Sequence, residues 1–183
     1  MILSNLRDFD FKRLPDVRGR YKKHVVMAPY TWFRVGGATT VFRPQDHEDL
    51  CQFLLQNSED VPVTIIGAAS NILIRDGGIP GIVIRLGKNF ASINFNSNSV
   101  RIGAALPNGI AARLALKEGY SGLEFLSGIP GTIGGGLRMN AGAYGKEVKD
   151  ILIEAEVIDG TGNIKVLSPE EMGMEKYLAF KKA

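Results

Sequence analysis

The chain reads as an α+β protein of two small lobes, with mixed sheets and flanking helices, and three observations lead there. Short β-branched runs recur along its whole length. Two segments, after Asp46 and after Asn108, carry apolar residues at helical spacing. The 22 glycines gather in a few places instead of repeating with a fixed period, which marks special backbone sites and not low complexity. At 183 residues and 45% hydrophobic composition, the chain is long enough for one large domain or two small ones.

Taken in order, residues 1–24 form a basic arm in which Arg7, Lys12, Arg13, Arg18, Arg20, Lys22 and Lys23 outnumber Asp8, Asp10 and Asp16. A solvated extension is the reading preferred over a charged steering patch. Val25–Met27 and Thr39–Phe42 read as strands around a Val35-Gly36-Gly37 turn. Asp46 caps a helix whose stripe of Leu50, Cys51, Phe53, Leu54 and Leu55 makes Cys51 a packing residue and not a nucleophile. Strands are expected at Val61–Ile66, Ile72–Ile74 and Ile82–Ile84, then a hairpin of Ser92–Phe95 with Val100–Ile102.

Asn108 is the expected cap of a second helix that stops at Gly119. After a glycine-rich stretch, Ile151–Ile158 and Ile164–Leu167 read as strands around Gly160-Thr161-Gly162. Ser168-Pro169-Glu170-Glu171 has the makings of a capping box. The least contrived boundary falls near Arg85–Gly87, giving a first lobe of residues 25–87 and a second of residues 88–183, with a ligand cleft between them.

A net charge of only +3 gives a nucleic-acid partner little support. The single cysteine excludes an intrachain disulfide, no Cys/His spacing fits a metal, and no stretch has the length and apolarity of a membrane span. The expectation is a cytoplasmic protein without metal, nucleic-acid or membrane partners.

Three segments combine small residues with polar ones: Gly67-Ala68-Ala69-Ser70-Asn71, Gly128 through Gly136, and Asn140-Ala141-Gly142-Ala143-Tyr144-Gly145. Where Cβ atoms are missing or small, the backbone can approach a ligand closely and turn several N–H groups toward one anion, such as the diphosphate of a dinucleotide. Thr132 is placed to open a short helix and to add a hydroxyl donor. The competing reading is that these glycines serve only turns and close packing. A P-loop is excluded because Leu137 and Arg138 follow Gly136, and a Rossmann fingerprint because Gly67–Asn71 leads toward another strand and not a helix.

Together, Thr31-Trp32-Phe33-Arg34-Val35-Gly36-Gly37, Gly67 through Leu73, Gly122 through Gly135 and Met139 through Gly145 strongly resemble the UDP-N-acetylenolpyruvoylglucosamine reductase family, in order and in spacing, over about residues 30–172. The resemblance implies the two-lobed FAD-binding fold of vanillyl-alcohol-oxidase type, with FAD held non-covalently. It implies an NADPH-dependent reduction of UDP-N-acetylglucosamine enolpyruvate to UDP-N-acetylmuramate, a step in peptidoglycan precursor and cell-wall synthesis and so linked to cell shape and division. The partner implied is a small-molecule UDP-sugar.

Carried over by position, Gly67, Ala68, Ala69, Ser70, Asn71 and Ile72 with Gly128, Ile129, Gly131, Thr132, Gly134 and Gly135 resemble the loops that hold the diphosphate. Asn140, Ala141, Gly142, Ala143 and Tyr144 resemble residues lining the flavin. The family usually has glycine where Ala69 stands, which matters only if that residue needs a positive φ. Trp32 and Arg34 border the implied site, although an aromatic residue after a strand is usually core.

The family's catalytic arginine, serine and glutamate find no match: Met174–Ala183 offers Lys176 beside Tyr177 and no arginine. The expectation is an FAD-binding part without its substrate-binding domain, strongly impaired as a reductase on its own. The alternative is a non-catalytic flavin-binding module or a truncated, inactive product.

Overall fold

The computed structural model describes residues 14–174. Most of the expected arm and the Lys176–Tyr177 stretch therefore lie outside the described residues. The described chain builds a four-stranded mixed sheet first and a set of short hairpins and helices after it.

In the sheet, β1 (Arg20–Val26) pairs antiparallel with β2 (Ala38–Arg43), and β4 (Ile82–Arg85) lies parallel between β2 and β3 (Val63–Ile66), giving the order β1-β2-β4-β3. β1 begins five residues before the expected Val25, so part of the basic arm is sheet edge. The strands alternate, and both faces are covered. On one face, α1 (His47–Gln56) packs Leu50, Phe53 and Leu54 against Phe42, Ile82 and Ile84. The rings of Phe42 and Phe53 lie 4.6 Å apart between centroids, and Tyr21 adds its own 5.0 Å from Phe42. On the other face, Val41, Ile66 and Val83 meet Met27 and Ile74.

As expected, Asp46 caps α1, accepting from the Asp49 N–H at 3.0 Å. Asp49 itself turns inward. Only 1% exposed, its carboxylate accepts from the backbone N–H groups of Arg18 at 2.7 Å, Gly19 at 3.0 Å and Gln45 at 2.8 Å. One side chain thus fixes how β1 enters the sheet and how β2 leaves it for the helix.

Ile72–Ile74 is not the strand its β-branched residues predicted. The segment crosses the face of the sheet, with Ile74 buried in the Met27 cluster and Ile72 packed against it, and the Arg75 carbonyl accepts from the Gly37 N–H at 3.0 Å. The apolar residues of this segment are buried by crossing the sheet face and not by joining the sheet.

The second part carries the hairpin β5 (Ile93–Phe95) with β6 (Val100–Ile102), α2 (Asn108–Lys117), α3 (Ile133–Arg138), the small hairpin β7 (Gly142–Ala143) with β8 (Lys146–Glu147), and the pair β9 (Ala155–Ile158) with β10 (Ile164–Leu167). Its own core gathers Ala112 of α2 with Phe125 and Leu126, flanked by Ile129, Ile133 and Ile151. The apolar run at Ile151 starts four residues before β9. A capping box in which Asp150 accepts from the Glu147 N–H at 2.8 Å captures Val148–Asp150 as a helical turn, and Ile151 closes it by donating to Val148. At Ser168 the expected capping box is present: Ser168 N–H donates to Glu171 at 2.8 Å, and Glu171 N–H to the Ser168 hydroxyl at 3.3 Å.

Candidate functional site

The glycine-rich segments begin where β3 ends, at Ile66, and the structure brings two of them into direct contact. A Cβ built on Gly67 would sit 2.5 Å from the Thr132 hydroxyl oxygen. The missing side chain is therefore what lets the first loop close on the second. A clasp accompanies this contact, for the Ser70 hydroxyl donates to the Pro130 carbonyl at 2.9 Å.

Thr132 precedes α3 as expected, but its hydroxyl makes no capping bond. Its backbone is held by a short antiparallel bridge with Pro107, in which Asn108 N–H donates to the Gly131 carbonyl at 3.1 Å and Ile133 N–H to the Leu106 carbonyl at 2.9 Å. Such a bridge turns the N–H of Thr132 away from the strand it pairs with. Among the described residues, the backbone N–H groups from Gly67 to Asn71, and those of Thr132 and Gly135, donate to no backbone carbonyl or side chain. Free donors on small residues in touching loops have the chemistry to hold an anion.

Gly131, at φ +142, adopts a conformation that disfavours a side chain, and a Cβ there would meet Asn108 and Ser70 at 3.4 Å. Gly134 plays another part: its Cβ would press on Ala104 at 2.9 Å, so this glycine serves packing of α3 against the chain before α2. Ile129 and Ile72 are partly buried against separate apolar clusters and anchor the loop ends. Gly128 lies under Tyr144, whose ring atoms would come within 3.5 Å of a Cβ.

Asn108 does not hold the cap position expected of it. Pro107 occupies the cap position, and Asn108 begins the helix with its side chain directed into the protein, 1% exposed. Its amide nitrogen donates to the Ile129 carbonyl at 3.3 Å, while its Oδ1 is buried without a hydrogen-bond partner among the described residues. Asn108 therefore supports the Gly131 loop from beneath. The proline before it was the available signal, since its fixed φ suits it to the end of a helix.

In the third segment Asn140, at φ +42 and 9% exposed, donates to Glu147 at 2.9 Å and accepts from Lys149 N–H at 3.0 Å. Both ends of its amide are thus engaged in holding the small hairpin. Ala141 N–H donates to Gly136 at 2.8 Å, tying this segment to α3. Tyr144 and Gly145, at φ +55 and +79, form the two-residue turn between β7 and β8, and Tyr144 is 88% exposed. An open hollow of about 430 Å³ against this hairpin is lined by Gly142, Ala143, Gly145, Lys146, Glu147, Lys149 and Asp150. Nearby, Glu124 accepts from the Gly122 N–H at 2.8 Å, which holds its carboxyl below the usual range.

Trp32 and Phe33 are exposed and not core, although Trp32 N–H donates to the Ala69 carbonyl at 3.1 Å and so borders the first loop. Ala69 does take a positive φ, +52.

A family model described as an FAD binding domain matches residues 38–168, spanning all three glycine-rich segments. The chain belongs to the FAD-binding-domain family. Among curated proteins it is similar to UDP-N-acetylenolpyruvoylglucosamine reductase from Paramagnetospirillum magneticum, with 50% identity over 91% of this chain and 55% of that protein. The corresponding reductase of Rhodospirillum rubrum is 51% identical over 88% of this chain and 51% of its own length. The chain spans about half the length of the curated relatives it matches.

Among solved structures, the reductase of Thermus caldophilus superposes with a TM-score of 0.71 at 32% identity, covering 85% of this chain and 54% of that one. The 6-hydroxy-D-nicotine oxidase of Arthrobacter nicotinovorans superposes with a TM-score of 0.60 at 18% identity over 85% of this chain and 37% of its own, a likeness of fold alone. The FAD-binding fold expected from the motifs is the fold observed. FAD is the cofactor of this family, and the residues present suit it: the Gly67–Thr132 contact has no room for a Cβ, and the donors around it are unoccupied by the chain's own acceptors.

Proposed function

We propose that this chain is the FAD-holding part of an NADPH-dependent reductase acting on UDP-N-acetylglucosamine enolpyruvate, a step in making peptidoglycan precursors. The observation that carries the reading is the contact of Gly67 with Thr132, which joins two loops of free N–H groups into one anion cradle. The relatives' shared name supplies the substrate class. The chemistry FAD supplies when bound is hydride transfer, and the protein's contribution is binding and orientation.

The backbone of Gly67–Asn71 and the Thr132 N–H and hydroxyl hold the diphosphate. Ser70 and Asn108 keep the two loops at their working separation, one from above and one from below. Gly128, Ile129, Gly131, Gly134 and Gly135 give the second loop its close path, and Ala141, Gly142, Ala143 and Tyr144 border the flavin on a hairpin that Asn140 braces. In this reading residues 25–87 and the described residues from 88 onward are the two lobes between which FAD lies. The compartment proposed for a nucleotide-sugar substrate and a nicotinamide reductant is the cytoplasm, where the reaction would serve wall growth, cell shape and division. A free Cys51 thiol fits that compartment.

The test is Thr132→Val, which removes a hydroxyl that makes no hydrogen bond among the described residues while keeping the side-chain volume. Hydrogen bonds to charged groups contribute about 1.5–3 kcal/mol, so FAD affinity should fall roughly 10- to 100-fold. Retention of flavin absorbance through gel filtration, with far-UV circular dichroism as the fold control, measures this. A variant that folds and holds FAD as tightly as the parent removes Thr132 from the cradle.

A further inference from the structure

At the end of the sheet where β2, β3 and β4 all finish, three arginines lie in one row. Arg20 is the registered partner of Arg43 across β1 and β2. One step beyond the Phe42–Ile84 pair, Arg43 stands beside Arg85, and Arg85 is in turn the partner of Ile66. Neighbouring strands are about 4.8 Å apart and side chains alternate between faces. Arg43 and Arg85 therefore share the face of Val41 and Val83, at the end from which the Gly67 loop departs.

Like charges side by side on neighbouring strands destabilise a sheet, and among the described residues the Tyr30 ring is the relief Arg85 receives. Among the described residues, none of the three guanidiniums forms an ion pair or hydrogen bond with a carboxylate. Arg85 is half-buried and lies 4.9 Å over the Tyr30 ring. Its burial and then the charge of Arg43 push its guanidinium below the usual range, and no carboxylate acts on it in the opposite sense. A desolvated cation beside a second cation is unfavourable unless an anion joins them.

We propose that Arg43 and Arg85, with Arg20 at the edge, form an anion site separate from the flavin cradle that takes a diphosphate group. Two forked guanidiniums on adjacent strands present paired N–H donors that match phosphate oxygens in bidentate fashion. Two linked phosphates supply a negative charge for each of two neighbouring cations, which a single carboxylate does not. The Tyr30 ring fixes the inner guanidinium, while its other partners remain to be supplied by the ligand.

The experiment is calorimetric titration with inorganic pyrophosphate at constant ionic strength set with sodium chloride, on protein saturated with FAD and on protein without it. Saturable binding should persist in the FAD-saturated protein and weaken about tenfold or more in Arg43→Gln and in Arg85→Gln. Arg43 is exposed, so its variant decides the matter even if the Arg85 variant misfolds. Binding that vanishes on FAD saturation would assign the row to the flavin's own diphosphate and overturn the proposal. So would heats no larger than those of chloride, or Arg43→Gln binding like the parent. If FAD is not retained, the parent-against-Arg43→Gln comparison on the FAD-free protein decides the row by itself, so the two readings fail separately.

Discussion

Ser70 Oγ donates to the carbonyl oxygen of Pro130 at 2.9 Å, joining loops sixty positions apart in the sequence. That bond ties the two loops of the proposed cradle together. Ser70→Ala removes it and leaves a carbonyl that water can reach, since Pro130 is exposed. Stability should therefore drop by less than about 1 kcal/mol. FAD affinity should fall roughly 3- to 10-fold as the loops lose their fixed spacing. Fluorescence titration of flavin against the variant measures the effect, and unchanged affinity would show that the clasp does not position the site.

Ala69 sits at φ +52, in the left-handed region where a Cβ is unfavourable. Ala69→Gly relieves that strain but frees the unfolded chain, and the side chain being replaced is buried. The strain is the larger quantity at about 1–2 kcal/mol, so the variant should be more stable by about 0.5–1 kcal/mol. Urea denaturation followed by circular dichroism gives the number, and a less stable variant would mean that the buried methyl outweighs the backbone.

Gly67 and Thr132 show where the sequence was informative. The small residues after the strand point to a close backbone approach, and the structure has one between the two loops themselves, Gly67 against Thr132. Asn108 and Asn140 carried the same polar signature but turn their amides into the protein. No spacing rule separates an inward asparagine from an outward one, since that depends on which backbone groups the tertiary fold leaves unsatisfied. Ile72–Ile74 failed as a strand for a related reason: periodicity records that residues are buried and not whether a neighbouring strand is free to pair. The Arg43–Arg85 juxtaposition depends on strand order, which no local pattern encodes.

Asp49 ties the start of the sheet to the first helix. Its carboxylate accepts three backbone N–H groups and is 1% exposed. Asp49→Ala strands those donors, at about 1–3 kcal/mol for each one left buried. Water reaches part of this set because Arg18 and Gln45 are exposed, so a loss of about 3 kcal/mol is expected. Chemical denaturation should show it as a lower midpoint with an unchanged slope. A loss under about 1 kcal/mol would mean that these donors are satisfied by solvent.

Asp159 organises the turn between β9 and β10, and that turn bears on α1: a Cβ on Gly162 would overlap the Cys51 carbonyl oxygen. The Asp159 carboxylate accepts from the Thr161 hydroxyl at 2.7 Å, contacts the Lys165 ammonium at 2.9 Å and accepts from Asn163 N–H at 3.0 Å. The Thr161 bond first, then Lys165 and Asn163, holds its carboxyl below the usual aspartate range. In the unfolded chain it titrates near pH 4. A depressed folded value means that the unfolded state takes up the proton first as pH falls, so the stabilisation is complete above about pH 4 and disappears progressively below it. Asp159→Asn should therefore lower the melting temperature at pH 6–7, and the gap from the parent should narrow steadily as pH drops below about 4. Thermal scans of both proteins across that range decide the matter, because a gap that stays constant down to the acid limit would mean the turn depends on side-chain shape and not on the carboxylate's charge.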